Sequence, residues 1–283
     1  MSAIRAIALV LLLASSFTFV AAPTDASPSE KTRPLQLYLL TPLQLFSDEV
    51  SIVGLRIGLF YGRNANVTGL DLGTGLSHTT GNMTGLSLSA ANRVSGNLMG
   101  WQTSLANVTE GGVDGIQLGV FNGAGDTRGV QLGALNMASG DVRGLGLGVS
   151  NIVEGDLLGW QTGLVNLSSG EVHGFQAGMA NQMGDAVGFQ LGGFNLADAM
   201  TGLQLGGLVD AERMVGLQLG VINAAEEALG LQLGVINVAE DARGLQLGVF
   251  NVTDKMTGLQ LGVINVIQRG GWMIMLPLIN GSL

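Results

Sequence analysis

A repeat of fourteen or fifteen residues fills the chain from Gly54 almost to its C-terminus. Two clear copies are G-L-Q-L-G-V-I-N-A-A-E-E-A-L from Gly216 and G-L-Q-L-G-V-I-N-V-A-E-D-A-R from Gly230. A short, fixed period means that each unit buries its inner face only against its neighbours, so the fold is a stack or a closed ring. The fifteen units begin at Gly54, Gly69, Gly85, Gly100, Gly115, Gly129, Gly144, Gly159, Gly174, Gly188, Gly202, Gly216, Gly230, Gly244 and Gly258.

The alternation within a unit predicts strands. We number the positions of a unit from its first glycine, as in G-L-Q-L-G-V-F-N-V-T-D-K-M-T. Leucine at positions 2 and 4 alternates with glutamine and glycine at positions 3 and 5, so we expect Leu245 and Leu247 to face the core and Gln246 to belong to an outward column. The buried parity changes at Phe250, which indicates a bend. The sequence therefore predicts an all-β fold in which each repeat forms one coil of a β-solenoid.

A second architecture also fits this period. About 16 antiparallel strands joined by short turns would form an outer-membrane-type β-barrel. The strands of such a barrel alternate in direction, so odd and even repeats should differ, whereas these repeats do not. Aromatic residues make up only 5% of the chain, which is few for the aromatic girdles of a barrel. The solenoid is thus the first expectation and the barrel the alternative.

Asparagine recurs at position 8 in twelve of the fifteen units. In a parallel stack, like residues lie about 4.8 Å apart, so these amides can form hydrogen bonds from coil to coil. We interpret the column as a structural ladder. The residues assigned to it are Asn122, Asn136, Asn151, Asn166, Asn181, Asn195, Asn223, Asn237, Asn251 and Asn265.

The N-terminus has the residue order of a secretory signal peptide. Arg5 precedes an apolar run over residues 6–20, and small residues follow as far as Ala26. This order predicts an exported protein. The expected divisions are residues 1–26 as the signal peptide, 27–53 as a leading segment or cap, 54–267 as the repeat, and 268–283 as an apolar C-terminal strand or cap.

The sequence offers no recognisable catalytic constellation. It has no cysteine, and its two histidines, His78 and His173, stand in no fixed relation to each other or to a serine. Only 12% of the residues are charged and the net charge is −9, without a basic patch, so nucleic acid is not an expected partner. Arg56 and Asp71 replace glutamine at position 3 and are expected to form a surface pair. These features predict no enzymatic activity, no cofactor and no metal site.

The repeated pattern G-[LFIVW]-Q-L-G-x-[IF]-N resembles the leptospiral-type bacterial surface-repeat family, and so does the N-terminal stretch G-L-R-I-G-L-F-Y-G-R-N-A-N-V-T-G-L-D-L-G. The resemblance covers roughly residues 34–283. It implies an exported protein of the bacterial outer membrane or cell surface. We therefore expect a non-enzymatic scaffold or a binding and adhesion surface, whose partner is an envelope or outer-membrane component or an extracellular ligand. An outer-membrane barrel channel is the alternative.

Overall fold

The chain folds as a stack of parallel coils. The computed structural model describes residues 31–282, almost all of which lie in β-strands. Neighbouring repeats pair in parallel and in register, so that Gly144 lies opposite Gly129 on one side and Gly159 on the other. The β-solenoid expected from the repeat is therefore confirmed. The antiparallel barrel is wrong, because its neighbouring strands would run in opposite directions. The expected signal peptide lies outside the described residues.

Short bends interrupt the strands of most coils as far as Ser168, whereas strand geometry continues round every corner in the later coils. The strands are β1 (Thr32–Leu40), β2 (Leu43–Gln44), β3 (Ser51–Asn64), β4 (Val67–Gly73), β5 (Leu76–Thr79), β6 (Met83–Leu88), β7 (Ala91–Val94), β8 (Leu98–Thr103), β9 (Ala106–Thr109), β10 (Val113–Leu118), β11 (Phe121–Ala124), β12 (Thr127–Ala138), β13 (Val142–Val153), β14 (Leu157–Thr162), β15 (Val165–Ser168), β16 (Val172–Arg269) and β17 (Met275–Ser282).

The chain divides into two compact units, whose described parts are residues 31–125 and 126–282. In unit 1, β1 pairs in parallel with β3 and antiparallel with the short β2, and so forms an N-terminal cap on the first coil. In unit 2, β17 pairs antiparallel with the last coil of β16. The two caps thus cover sheet edges that a stack of coils would otherwise leave open.

The strand face that lies inside the coil is the one that alternation predicts to lie outside. Gln246 is only 1% exposed, whereas the leucines on either side of it lie on the opposite face of the strand and are only partly buried. The expectation of inward leucines and outward glutamines is therefore wrong. A period of two separates two faces of a strand, but it does not say which face a closing coil turns inward. The inward positions are 3, 8 and 10, together with the residue two before the next glycine.

Glycine at position 5 shows how narrow the interior is. A Cβ atom on Gly234 would lie 2.6 Å from Asn223 Nδ2 and 3.1 Å from Asn237 Oδ1. The backbone oxygen of Gly220 would be closer still, at 2.5 Å. A side chain on Gly234 would therefore overlap both the neighbouring coil and the asparagine amides. The small apolar residues Ala239 and Ala242 fill the remaining part of that coil.

Glycine at position 1 meets a conformational requirement. Gly230 has φ of 131°, and a Cβ atom there would lie 2.1 Å from the carbonyl oxygen of Gly216 in the preceding coil. Residues with a side chain rarely adopt this φ. The first glycine therefore lets the chain turn while neighbouring coils remain in close contact.

The extra residue of the fifteen-residue coils lies in a turn with its own column of hydrogen bonds. Asp126 Oδ1 accepts a hydrogen bond from the backbone nitrogen of Asp141 at 2.9 Å, and Asp141 Oδ1 accepts one from that of Asp156 at 3.0 Å. Asp156 Oδ1 likewise accepts from the backbone nitrogen of Glu171 at 2.9 Å. These carboxylates accept hydrogen bonds from backbone N–H groups of the turn, which take no part in the strand pairing. The insertion therefore lengthens the turn and leaves the core unchanged.

Candidate functional site

The asparagines at position 8 form a buried ladder. Asn237 Nδ2 donates to Asn251 Oδ1 at 2.7 Å and to the carbonyl oxygen of Leu247 at 2.9 Å. The same two bonds recur from coil to coil, always toward the following coil. Within unit 1, Asn122 accepts from Asn107 at 2.9 Å. Within unit 2, the ladder contains Asn136, Asn151, Asn166, Asn181 and Asn195, and then Asn223, Asn237, Asn251 and Asn265.

A single valine interrupts this ladder in unit 2. Val209 occupies position 8 of its repeat and is 0% exposed. Asn195 keeps its bond to the carbonyl oxygen of Leu205 at 2.8 Å. Asn223 Oδ1, however, is buried and has no hydrogen-bond partner among the described residues. Since buried acceptors are nearly always paired, this atom is a local defect whose cause is the missing amide of the preceding coil.

The glutamines at position 3 form a second ladder, which is buried and not on the outer surface as the alternation predicts. Gln246 Nε2 donates to Gln232 Oε1 at 2.6 Å, and Gln260 Nε2 donates to Gln246 Oε1 at 2.8 Å. These bonds point toward the preceding coil, opposite to those of the asparagine ladder. The two columns of amide dipoles are therefore opposed. Because amides such as Gln246 pair with the amides above and below, the interior can be polar without many unpaired groups.

In the first two coils of unit 1 a buried ion pair takes the place of glutamine at position 3, and glutamine pairing resumes with Gln102 and Gln117. Arg56 Nε donates to Asp71 Oδ1 at 2.8 Å, and Arg56 Nη2 donates to Asp71 Oδ2 at 2.7 Å. Both residues are 0% exposed. The expectation of a surface pair is therefore wrong in its location, because position 3 faces inward in every coil. The sequence does hold the relevant signal, since two opposite charges replace glutamine in consecutive repeats.

Hydroxyl groups complete the polar environment of this pair. Ser77 donates to the Asp71 carboxylate and accepts from Arg56, and Ser87 Oγ donates to Asp71 Oδ2 at 2.8 Å. Thr79 Oγ1 accepts from Arg56 Nη2 at 3.1 Å. Multiple hydrogen bonds of this kind offset the cost of removing both charges from water.

Tyr38 closes this polar cluster from the N-terminal cap. Its ring lies against Gly58 and Gly62, where a Cβ atom would fall within 2.6 Å of the ring. Burial, and after it the negative charge of Asp71, raises the pKa of Tyr38 to about 12. The phenol oxygen is buried and has no hydrogen-bond partner among the described residues. Because Arg56 and Asp71 are sealed from solvent, we interpret the cluster as the contact that fixes the cap on the first coil.

His78 lies beside the cluster and is partly exposed. Tyr61 Oη and His78 Nδ1 are 3.2 Å apart, and His78 Nε2 is 3.4 Å from Ser95 Oγ. Burial, followed by the positive charges of Arg93 and Arg63, lowers the pKa of His78 to about 4. The imidazole is therefore neutral at pH 7. His173 lies in unit 2, so the structure places the two histidines in separate units.

The outer surface of unit 2 is apolar over much of each coil. We call the side chains at positions 2, 4, 6 and 7 of the ten repeats from Gly129 to Gly258 the outer wall. None of them is ionisable, and Ser150 and Thr162 are the only polar ones. Trp160 is 61% exposed and Val263 is 59% exposed. On the same surface the ring centroids of Trp160 and Phe175 are 5.7 Å apart, and those of Phe175 and Phe189 are 5.2 Å apart.

Charged residues of these repeats are concentrated on a different edge of the coil. We call the side chains at positions 11 and 12 in the repeats from Gly188 to Gly244 the acidic edge. Its carboxylates are Asp198, Glu212, Glu226, Glu227, Glu240, Asp241 and Asp254, against two cations, Arg213 and Lys255. Over residues 31–282, no cluster of three or more histidine, cysteine or acidic side chains is placed to hold a metal ion.

Comparison with known proteins returns no match, whether against protein-family models, curated proteins or solved structures. The resemblance to the leptospiral-type surface-repeat family therefore stays a prediction. In the described part of the chain, no helix has the length and apolar character needed to cross a membrane.

Proposed function

We propose that this chain is an exported protein of the bacterial envelope that acts, without enzymatic activity, as a repeat-built scaffold or binding surface. The outer wall of unit 2 is the observation that carries the proposal. Parallel sheets normally have both faces covered, and large exposed apolar surfaces mark sites of interaction. An apolar wall that is repeated over ten coils supports a role in binding or scaffolding better than catalysis at a single active site.

The polar groups of the molecule support the same proposal. The ladder amides form hydrogen bonds with one another inside the coils, and the Arg56–Asp71 pair is sealed from solvent. A group that acts on a substrate must be able to reach it. The signal-peptide order of residues 1–26 and the family resemblance favour an envelope location. A channel that depends on an antiparallel barrel is not proposed, because the coils are parallel.

Labelling of single cysteines in intact cells tests the location. The chain has no cysteine, so each introduced thiol gives an unambiguous signal. Lys255 is exposed and its neighbour Met256 is buried. We expect Lys255→Cys to react with a membrane-impermeant maleimide in intact bacteria, and the matched Met256→Cys to react only after denaturation. Reaction of Lys255→Cys only after the cells are lysed would contradict a surface location.

A further inference from the structure

The outer wall continues round a corner of the coil. Val221 and Ile222 are consecutive, yet both side chains are exposed, and the same holds for Val249 and Phe250. Since successive residues of a strand point to opposite faces, two exposed neighbours mark a bend in the chain. The apolar surface therefore covers two sides of the coil and the corner between them. A flat, rigid partner would cover one of these sides and leave the other in water.

The backbone of the wall carries few unpaired polar groups along the stack. Each coil forms its main-chain hydrogen bonds with the coils on either side, as the register of β13 with β14 and of β14 with β16 shows. A surface that meets hydrocarbon must satisfy its backbone donors and acceptors within the protein. Most of the interior amides are likewise paired within the stack, and they face away from the wall. The wall thus meets the physical requirements for contact with acyl chains.

The charges of unit 2 indicate which part stays in water. The acidic edge lies at positions 11 and 12, away from positions 2 to 7, and the wall has no lysine or arginine. Peripheral proteins that depend on anionic lipid use basic residues. Binding of this wall must therefore depend on apolar contact with uncharged lipid.

From these observations we infer that the outer wall of unit 2 inserts into one leaflet of a lipid bilayer, while the acidic edge remains in water. This inference rests on the proposed envelope location and names the partner as lipid acyl chains. The wall would enter the leaflet by about 5–10 Å, the depth usual for apolar faces that lie in the interface. A fluid is the partner that can follow an apolar surface round a corner.

Flotation with neutral vesicles tests this inference. The full chain, purified in mild detergent, is diluted into phosphatidylcholine vesicles and centrifuged through a density gradient. We expect the wild-type protein to float with the vesicles and to stay with them in high salt, because no charge pair holds it there. Protein that stays at the bottom of the gradient would overturn the inference. So would flotation that occurs only with anionic lipid or is reversed by salt.

A matched set of charges locates the contact. The wall variant carries Val221→Glu and Val263→Glu, which add two carboxylates to the wall. The control variant carries Ala199→Glu and Gln268→Glu, which add two carboxylates at position 11 or 12. Because a charge is costly within a bilayer, we expect the wall variant to partition into the vesicles at least about tenfold less than wild type. The control variant should partition into them like wild type. Circular dichroism and unfolding curves establish that both are folded. Equal partition of the two variants would overturn the inference.

A second measurement avoids any new charge in the wall. The chain has three tryptophans, so the variant Trp101→Phe with Trp272→Phe leaves Trp160 as the only one. We expect lipids brominated on their acyl chains to quench its fluorescence. An unquenched Trp160 would overturn the inference, and so would a stable dimer without detergent that fails to float, since a second copy would then cover the wall. Both results are independent of the cysteine labelling, which reports location alone.

Discussion

The defect beside Val209 allows one substitution to be compared at two places in the same ladder. Asn237 accepts a hydrogen bond from Asn223 Nδ2 at 2.8 Å and donates to Asn251 Oδ1 at 2.7 Å. Asn223 donates to Asn237 in the same way, but its own Oδ1 has no partner among the described residues. Valine already occupies one position of this column, so the side chain itself is compatible with the coil.

The expected free energies follow from the groups left unpaired. Asn237→Val leaves Asn251 Oδ1 without its donor and one Asn223 N–H without its acceptor. Asn223→Val leaves Asn237 Oδ1 without its donor, but it also removes an acceptor that was already unpaired. In both variants a position-4 carbonyl oxygen loses its amide donor, so that loss cancels. Asn237→Val therefore adds two unpaired groups, whereas Asn223→Val creates one and removes one. At about 1–3 kcal/mol for each buried unpaired group, Asn237→Val should cost at least about 2 kcal/mol more than Asn223→Val.

Denaturant unfolding in one detergent measures this difference. A lower midpoint at unchanged slope reports a loss of stability rather than a change in the unfolded state. The order expected is wild type, then Asn223→Val, then Asn237→Val. Equal losses, or a larger loss for Asn223→Val, would show that pairing between amides does not determine the stability of the column.

Three further results are expected. Val209→Asn should raise the free energy of unfolding by about 1 kcal/mol, because the new amide can pair with both neighbours; a loss in the same denaturant assay would contradict the ladder. Arg56→Gln should cost about 3–5 kcal/mol, because it leaves the buried Asp71 carboxylate without its counter-charge. Adding Asp71→Gln should restore most of this loss, because it removes the buried charge and places two amides at neighbouring positions; no recovery in the double variant would count against that explanation. Stability should fall between pH 10 and pH 12, because Tyr38 ionises near 10 when unfolded and at about 12 when folded. In Tyr38→Phe the free energy of unfolding, measured at each pH, should depend less on pH over this range. An equal pH dependence in the variant and the wild type would refute the raised pKa of Tyr38.

The period of the sequence determined the architecture. Like residues recur every fourteen or fifteen positions, and odd and even repeats are alike, so each unit can stack on a parallel copy of itself. The column of asparagines follows from the same register, because residues such as Asn237 and Asn251 occupy one position in successive coils. The resemblance to a surface-repeat family and the proposed export rest on the sequence alone.

Only the tertiary structure decided which face of the coil is inside. Burial of apolar residues favoured an interior of Leu245 and Leu247, and that rule treats Gln246 as a polar group that belongs in water. The stack changes this balance, because Gln246 meets identical amides in the coils above and below it and is buried with its hydrogen bonds formed. The absence of a side chain at position 5 then gives the asparagine amides room. Whether such pairs form depends on coils that are distant in sequence, so alternation within one unit could not reveal the apolar outer wall.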